Sequence, residues 1–128
     1  MNLLLDTHVA LWAITDSPRL SAPARAWITD PESDLWVSAA SLWEIAIKHA
    51  LRPSHMPIPA AQARVHFQDS GYRILPIEPE HVLALEGLPT LHADPFDRLL
   101  IAQAQAEPMR LLTADARVAR YGEAVIRV

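Results

Sequence analysis

The sequence predicts an α/β fold: a three-layer α/β/α sandwich, a single domain over residues 1–128, built on a central parallel sheet of four to five strands. Three observations lead there. Short apolar runs alternate with stretches of helical spacing along the whole chain, and a repeated strand–helix–strand order is that of a parallel sheet covered on both faces. Turn residues separate the elements, with no repeat, low-complexity segment or linker between them. At 128 residues, 51% hydrophobic and 20% charged, the chain is also long and apolar enough to bury a core.

Taken in order, Met1-Asn2-Leu3-Leu4-Leu5 is an apolar run ending at Asp6, a buried strand. Thr7 to Ile14 is a short helix, broken by Ser17-Pro18, and Ser21 to Thr29 is a second, with Pro23 near its start. Asp34 precedes a strand at Leu35-Trp36-Val37-Ser38. A strong helix runs from Ala40 to about Leu51, and Pro53, Pro57 and Pro59 mark a loop. Ala60 to Gln68 is helical and Gly71 ends it. Arg73-Ile74-Leu75-Pro76-Ile77 is a third strand. Pro79 to Leu85 is a short helix stopped by Gly87 and Pro89. Asp94-Pro95 starts the next helix: Asp accepts from free N–H groups and Pro tolerates the first helical position. That helix reaches about Ala106. Arg110-Leu111-Leu112-Thr113 is a fourth strand, Asp115 to Arg120 a helical turn, and Ala124 to Val128 a last strand.

Composition excludes several classes. No apolar run approaches the ~20 residues of a membrane span, and no export signal is legible, so a cytoplasmic protein is expected. The chain has no cysteine, which removes disulfides, thiolate metal sites and thiol nucleophiles. A net charge of −4 argues against strong nonspecific binding to a polyanion. Three scattered glycines build neither a phosphate loop nor a dinucleotide fingerprint, and no Gly-x-Ser-x-Gly elbow is present.

What remains is a set of acids. In an open α/β sheet, sites lie outside the carboxyl ends of the strands. Asp6 ends strand one, Glu44 lies in the helix after strand two, Asp94 and Asp97 open the helix before strand four, and Asp115 sits just past strand four. All can gather at one edge. Each alone could be a helix-start residue, favoured by free N–H groups and the macrodipole. That accounts for Asp94 well, but less well for Asp6 after a strand or for Glu44 in mid-helix beside Trp43, Ile45 and Ile47. Asp97 shares a helix side with Ile101 and Ala104, so it points inward, and an ionised carboxylate near a core needs a positive counterpart. Converging carboxylates suit a hard divalent cation such as Mg²⁺, which keeps waters that a phosphate can replace.

Four stretches resemble a known family: Leu3-Leu4-Leu5-Asp6-Thr7-His8; Ser41-Leu42-Trp43-Glu44-Ile45-Ala46-Ile47-Lys48; Asp94-Pro95-Phe96-Asp97-Arg98-Leu99-Leu100-Ile101-Ala102-Gln103-Ala104; and Leu112-Thr113-Ala114-Asp115. In order and spacing, over the whole chain, they resemble the PIN-domain family, specifically VapC-like toxins of type II toxin–antitoxin pairs. The resemblance implies a PIN-like fold and an endoribonuclease dependent on Mg²⁺ or Mn²⁺, usually a homodimer. It also implies inhibition by a small antitoxin whose tail enters the acidic pocket. Carried over by position, Asp6, Glu44 and Asp97 match the family's acidic triad and Asp115 its more variable fourth acid, with Asp94 beside the third. Thr7 and Thr113 match hydroxyls that steady the site. After Lys48 the family often has a Gly-containing turn; here the chain has His49-Ala50-Leu51-Arg52-Pro53, which bears on the groove wall and the substrate preference.

Lys48, Arg52, Arg98, Arg117 and Arg120 are candidates to hold RNA phosphates, Lys48 and Arg98 foremost, set against solvated faces or ion pairs. Trp12, Trp36 and Trp43 could stack on bases, but core or dimer packing is the expectation. Leu42 to Ile47 suits a helix buried on more than one side, as in a dimer or antitoxin contact. Among six histidines no His-Glu-x-x-His pattern exists and no zinc site is expected. His8 and His92 flank the predicted pocket and are expected to be satisfied or exposed. Two other functions fit the residues less well. An Asp-phosphorylated signalling domain would want a Lys after a later strand, yet Lys48 is the sole lysine and lies in a helix. A catalytically silent binding module would be expected to lack a pocket acid, and none is missing.

Overall fold

The structure, a computed structural model, describes residues 1–128. Five parallel strands form one sheet: β1 (Asn2–Leu5), β2 (Asp34–Ser38), β3 (Arg73–Leu75), β4 (Arg110–Thr113) and β5 (Val125–Arg127), in the spatial order β3-β2-β1-β4-β5. Seven α-helices connect them: α1 (Thr7–Ile14), α2 (Ala22–Thr29), α3 (Ala39–Leu51), α4 (Ala60–Asp69), α5 (Pro79–Ala84), α6 (Pro95–Ala106) and α7 (Ala116–Ala119). A 3₁₀ turn, Leu85–Gly87, follows α5.

Successive residues of a strand face opposite sides of the sheet, and the core divides accordingly. Leu4 and Leu111 join Leu99, Leu100, Ile101 and Ala104 of α6 on one face. Leu5, Val37 and Leu112 join Val9, Ala24, Ile45 and Phe67 from α1, α2, α3 and α4 on the other. The three layers expected of the sequence are therefore present, and the strand count is five.

Element limits differ from the expectation in instructive places. The third strand stops at Leu75 rather than Ile77. Proline has no N–H for the ladder, and the Pro76 carbonyl turns away to accept from Gln103 Nε2 at 3.3 Å. The start of α2 is Ala22, because Ser21 stays outside as the cap and accepts from Ala24 N at 3.2 Å. Asp115 likewise caps α7 instead of joining it. Gly71, at φ +86°, provides the left-handed turn after α4.

Helix α3 keeps part of its apolar surface uncovered by this chain. Of the segment expected to be buried on several sides, Ile45 is buried, while Trp43 and Ile47 are 53% and 36% exposed and Leu51, one turn on, is 75% exposed. Trp43 packs edge-on against Phe96 of α6, ring centroids 4.9 Å apart. Trp36 lies under the Arg73 guanidinium at 5.4 Å.

A buried polar cluster joins the layers behind the site. Ser38 Oγ donates to Gln103 Oε1 (2.5 Å), and Gln103 Nε2 donates to the Pro76 carbonyl and to His81 Nδ1. Since His81 Nδ1 also accepts from Glu78 N, its proton sits on Nε2, which donates to Glu107 Oε2 at 2.5 Å. Gln103 is fully buried, so Gln103→Leu strands the Ser38 hydroxyl and the Pro76 carbonyl. The expected loss is about 1–3 kcal/mol of stability, read as a lower urea midpoint at unchanged slope.

Candidate functional site

The order of the sheet sets the place of the site. From β1 the chain steps outward to β2 and β3, then crosses back to β4 on the other side of β1. The switch point of the sheet lies between β1 and β4, and a crevice opens beyond their carboxyl ends. Asp6 follows β1 and Thr113 ends β4. Across the crevice Thr113 Oγ1 donates to Asp6 Oδ2 at 2.6 Å, joining residues 107 positions apart.

A cleft of about 370 Å³ occupies this position, and Asp6, Glu44, Asp94, Asp97 and Asp115 all line it. Three are helix caps. Asp6 accepts from His8 N at 3.4 Å at the start of α1, Asp94 from Asp97 N at 3.0 Å before α6, and Asp115 from Arg117 N at 2.7 Å before α7. Glu44 comes from the middle of α3, where Thr7 Oγ1 of α1 donates to Ser41 Oγ (2.8 Å) and ties the two helices. Glu44 is 3% exposed; Oε2 is paired with Lys48 Nζ, while the buried Oε1 has no hydrogen-bond partner. Asp97 points inward as expected. Its Oδ2 meets His92 Nε2 at 2.7 Å, and His92 is buried.

The electrostatics follow from burial. Removal from water, followed by the charge of nearby Asp6, Asp94 and Glu44, pushes Asp97 up to about 6 against the opposing His92 hydrogen bond. Burial also raises Asp6, although Thr113 and His8 hold it back. Asp115, at the rim, is lowered, chiefly by the Arg117 side chain that donates to both its oxygens. Burial works to lower Lys48, but the hydrogen bond and charge of Glu44, with Asp94 and Asp97, outweigh it and raise the ammonium.

The basic residues divide. Lys48 and Arg117 line the cleft; Arg98 and Arg120 do not. The expectation that Arg98 binds substrate is corrected here. Its guanidinium donates to the carbonyls of Leu88, Pro89 and His92 and to the Tyr121 hydroxyl, at 3.0–3.4 Å. Tyr121 Oη also accepts from Leu91 N (3.0 Å) and His92 N (2.9 Å). Arg98 and Tyr121 thus clamp the loop that presents His92 to Asp97. Thr7 and Thr113 are buried and face other side chains, so their place is support. His92 and Trp12, which also lines the cleft, carry more of the site than the sequence indicated. For His92 the signal was its position just before the Asp94 cap; for the Tyr121 clamp there was none.

The donor set fits a hard divalent cation. All the acids offer oxygen, and the orphaned Glu44 Oε1 lacks the positive partner that burial demands. Ligand atoms of His92, Asp97 and Asp115 also lie within 4.8 Å of one another. With Nε2–H donating to Asp97, the imidazole orients that carboxylate as an outer partner would.

An all-parallel sheet in this order with acids along its carboxyl edge defines the chain as a PIN-type α/β/α domain. The chain belongs to the PIN domain family, whose profile matches residues 3–124. It is similar to Ribonuclease VapC22 of Mycobacterium tuberculosis (strain ATCC 25618 / H37Rv), with 32% identity over 122 residues, 91% of this chain and 89% of that protein. Among solved structures it superposes on VapBC2 from Rickettsia felis bound to a DNA fragment from its promoter (TM-score 0.71, 18% identity, 100% and 98% of the two chains covered). It also superposes on a toxin–antitoxin complex from Klebsiella pneumoniae (0.65, 17%, 97% and 95%) and on VapBC-1 from nontypeable Haemophilus influenzae (0.62, 16%, 94% and 92%). No helix of the chain is long and apolar enough to cross a membrane.

The Asp97 carboxyl binds its proton more tightly folded than unfolded, because its folded pKa of about 6 lies above the ordinary 3.8. Its contribution to stability is therefore full below about pH 4 and is lost as pH rises through about 6. Asp97→Asn removes this titration, so in chelator its melting temperature changes less than wild type's between those values. Tyr121→Phe removes the acceptor shared by three donors; a loss of about 1–3 kcal/mol is expected, with faster amide exchange at Leu91 and His92.

Proposed function

We propose that the chain is an endoribonuclease that hydrolyses RNA phosphodiester bonds at a Mg²⁺ or Mn²⁺ held by Asp6, Glu44, Asp97 and Asp115, with Asp94 beside them, and that it is the toxin of a toxin–antitoxin pair. The observation that carries this reading is Glu44: a buried mid-helix carboxylate, one oxygen without a partner, in a cleft with four aspartates. No structural role accounts for that expense. Membership of the PIN domain family and the similarity to a protein named a ribonuclease support the reaction class. The superposition on toxin–antitoxin complexes supports an antitoxin as partner.

A divalent cation supplies positive charge to a phosphate in transition and lowers the pKa of a water. The chain's own residues prepare the rest. Thr113 Oγ1 fixes Asp6 Oδ2, and His92 Nε2 fixes Asp97 Oδ2. Thr7 holds α1 against α3, which keeps Glu44 facing Asp6. Lys48 Nζ balances one Glu44 oxygen and places positive charge at the cleft wall, where a substrate phosphate approaches. Arg117 steadies Asp115 at the rim. The exposed Trp43 and Ile47 of α3 suit a contact with a second copy or an antitoxin. The phosphorylated-aspartate reading gains nothing, since the sole lysine pairs with Glu44.

The test is cleavage of a mixed RNA pool by purified protein in Mg²⁺ or Mn²⁺ and in chelator. Cutting is expected only with metal, and Asp97→Asn is expected to fall by roughly a hundredfold or more with its fold intact. Absence of cutting by the wild type in either metal, with antitoxin removed, would overturn the reading in favour of a silent binding module.

A further inference from the structure

We propose that a second pocket beside the acidic cleft binds one nucleotide of single-stranded RNA next to the bond that is cut, with Arg52 at its phosphate and Leu51 and Met56 against its base. This subsite rests on the ribonuclease reading above and adds where the strand continues. The pocket has a volume of about 380 Å³ and is lined by His8, Lys48, Leu51, Arg52, His55 and Met56. None of these is acidic. His8 and Lys48 line the acidic cleft as well, so the two cavities are contiguous. Along one groove the wall thus changes from clustered carboxylates to clustered bases.

The wall is built by the stretch in which the chain leaves α3, from His49 to Met56. Helix α3 runs through Leu51, and Arg52 caps it, donating its N–H to the Lys48 carbonyl at 2.8 Å. His55 N and Met56 N then both donate to the Arg52 carbonyl, at 3.0 and 3.1 Å. His49 Nδ1 donates to the Met56 carbonyl at 2.7 Å. These bonds fold the loop back on the helix, bury Met56 to 4% exposure and leave the Arg52 and His55 side chains exposed to solvent. Both side chains are free of hydrogen-bond and ion-pair partners within the protein. The wall is formed before any ligand arrives, which spares the cost of ordering it.

A nucleotide matches this wall in both its parts. Its phosphate carries the counter-charge that Arg52 lacks, and its base covers the exposed Leu51 beside the buried Met56, with the imidazoles of His8 and His55 as stacking faces. An acidic protein segment would meet the charge equally, but continuity with the acidic cleft favours the strand whose phosphate is held there.

The experiment measures binding of a fluorescein-labelled, mixed-sequence single-stranded RNA to the Asp97→Asn protein across a salt series. Arg52→Ala and Arg52→Ala/His55→Ala are placed on that background. Arg110→Ala is the control: it removes the same charge at the opposite end of the sheet, where β4 begins. The Arg52 change is expected to weaken binding by roughly tenfold and to reduce the slope of log K against log salt by about 0.7, one phosphate's worth, with Arg52→Lys restoring part of the slope. Arg110→Ala is expected to alter neither. Equal affinity and slope with and without Arg52 would overturn the subsite; wild-type cleavage in the same preparation would leave the ribonuclease reading standing. RNA binding unchanged while an acidic antitoxin peptide is lost would assign the pocket to a protein partner and overturn it too. No RNA binding or cutting by any variant would overturn both.

Discussion

The hydrogen bond from Thr113 to Asp6 spans the crevice between β1 and β4, and the rest of the site depends on the arrangement it marks. A parallel sheet that grows outward from β1 in one direction and then reverses leaves one place where two strand ends diverge. Everything after those ends must turn into a helix, and each turn exposes free N–H groups. Asp6 and Asp115 occupy those turns as caps, and Asp94 caps α6, the helix that leads into β4. Capping and the macrodipole make each acid locally favourable, by about 0.5–2 kcal/mol. They do not make five carboxylates around one cleft favourable, and the raised Asp6 and Asp97 record the remaining conflict.

The chain contains that conflict with two positive groups and one imidazole hydrogen bond. Lys48 neutralises one oxygen of Glu44, Arg117 neutralises Asp115 at the rim, and His92 meets Asp97. The third is the most elaborately supported. His92 stands on a loop without regular structure, and the loop is held by the Tyr121 hydroxyl and by three carbonyl contacts of one guanidinium, which also donates to Tyr121. Arg98 thereby serves Asp97 at second hand, through carbonyl groups, with its charge turned away from the cleft.

The architecture was legible because apolar runs and caps are local signals. Asp6, Asp94 and Asp115 each sit at a chain position that announces a turn, and the helix side that Asp97 shares with Ile101 and Ala104 announces which way it faces. Glu44 was legible as an anomaly, a carboxylate among Trp43, Ile45 and Ile47. What failed was inference across distance. Arg98 follows Asp97 directly, yet its long side chain reaches back nine residues to Pro89 and forward to Tyr121. Lone basic residues carry no mark that separates a phosphate ligand from a loop clamp. The exposure of Trp43, Ile47 and Leu51 was hidden for a related reason: periodicity identifies an apolar face but not whether this chain supplies its cover.

The reversal at β1 also bears on synthesis. The first acid of the cleft is made well before its partner hydroxyl, which lies 107 residues later. Protein chains are made and fold from the N-terminal end, so β1, β2 and β3 with their helices can collect while β1 still has an open edge. During that interval Asp6 has neither Thr113 to orient it nor Asp115 across from it. The cleft closes only when β4 slides in beside β1, and a nascent chain that has not reached β4 carries acids but no site. A sheet built this way has the assembly of its cleft withheld by the order of its own translation.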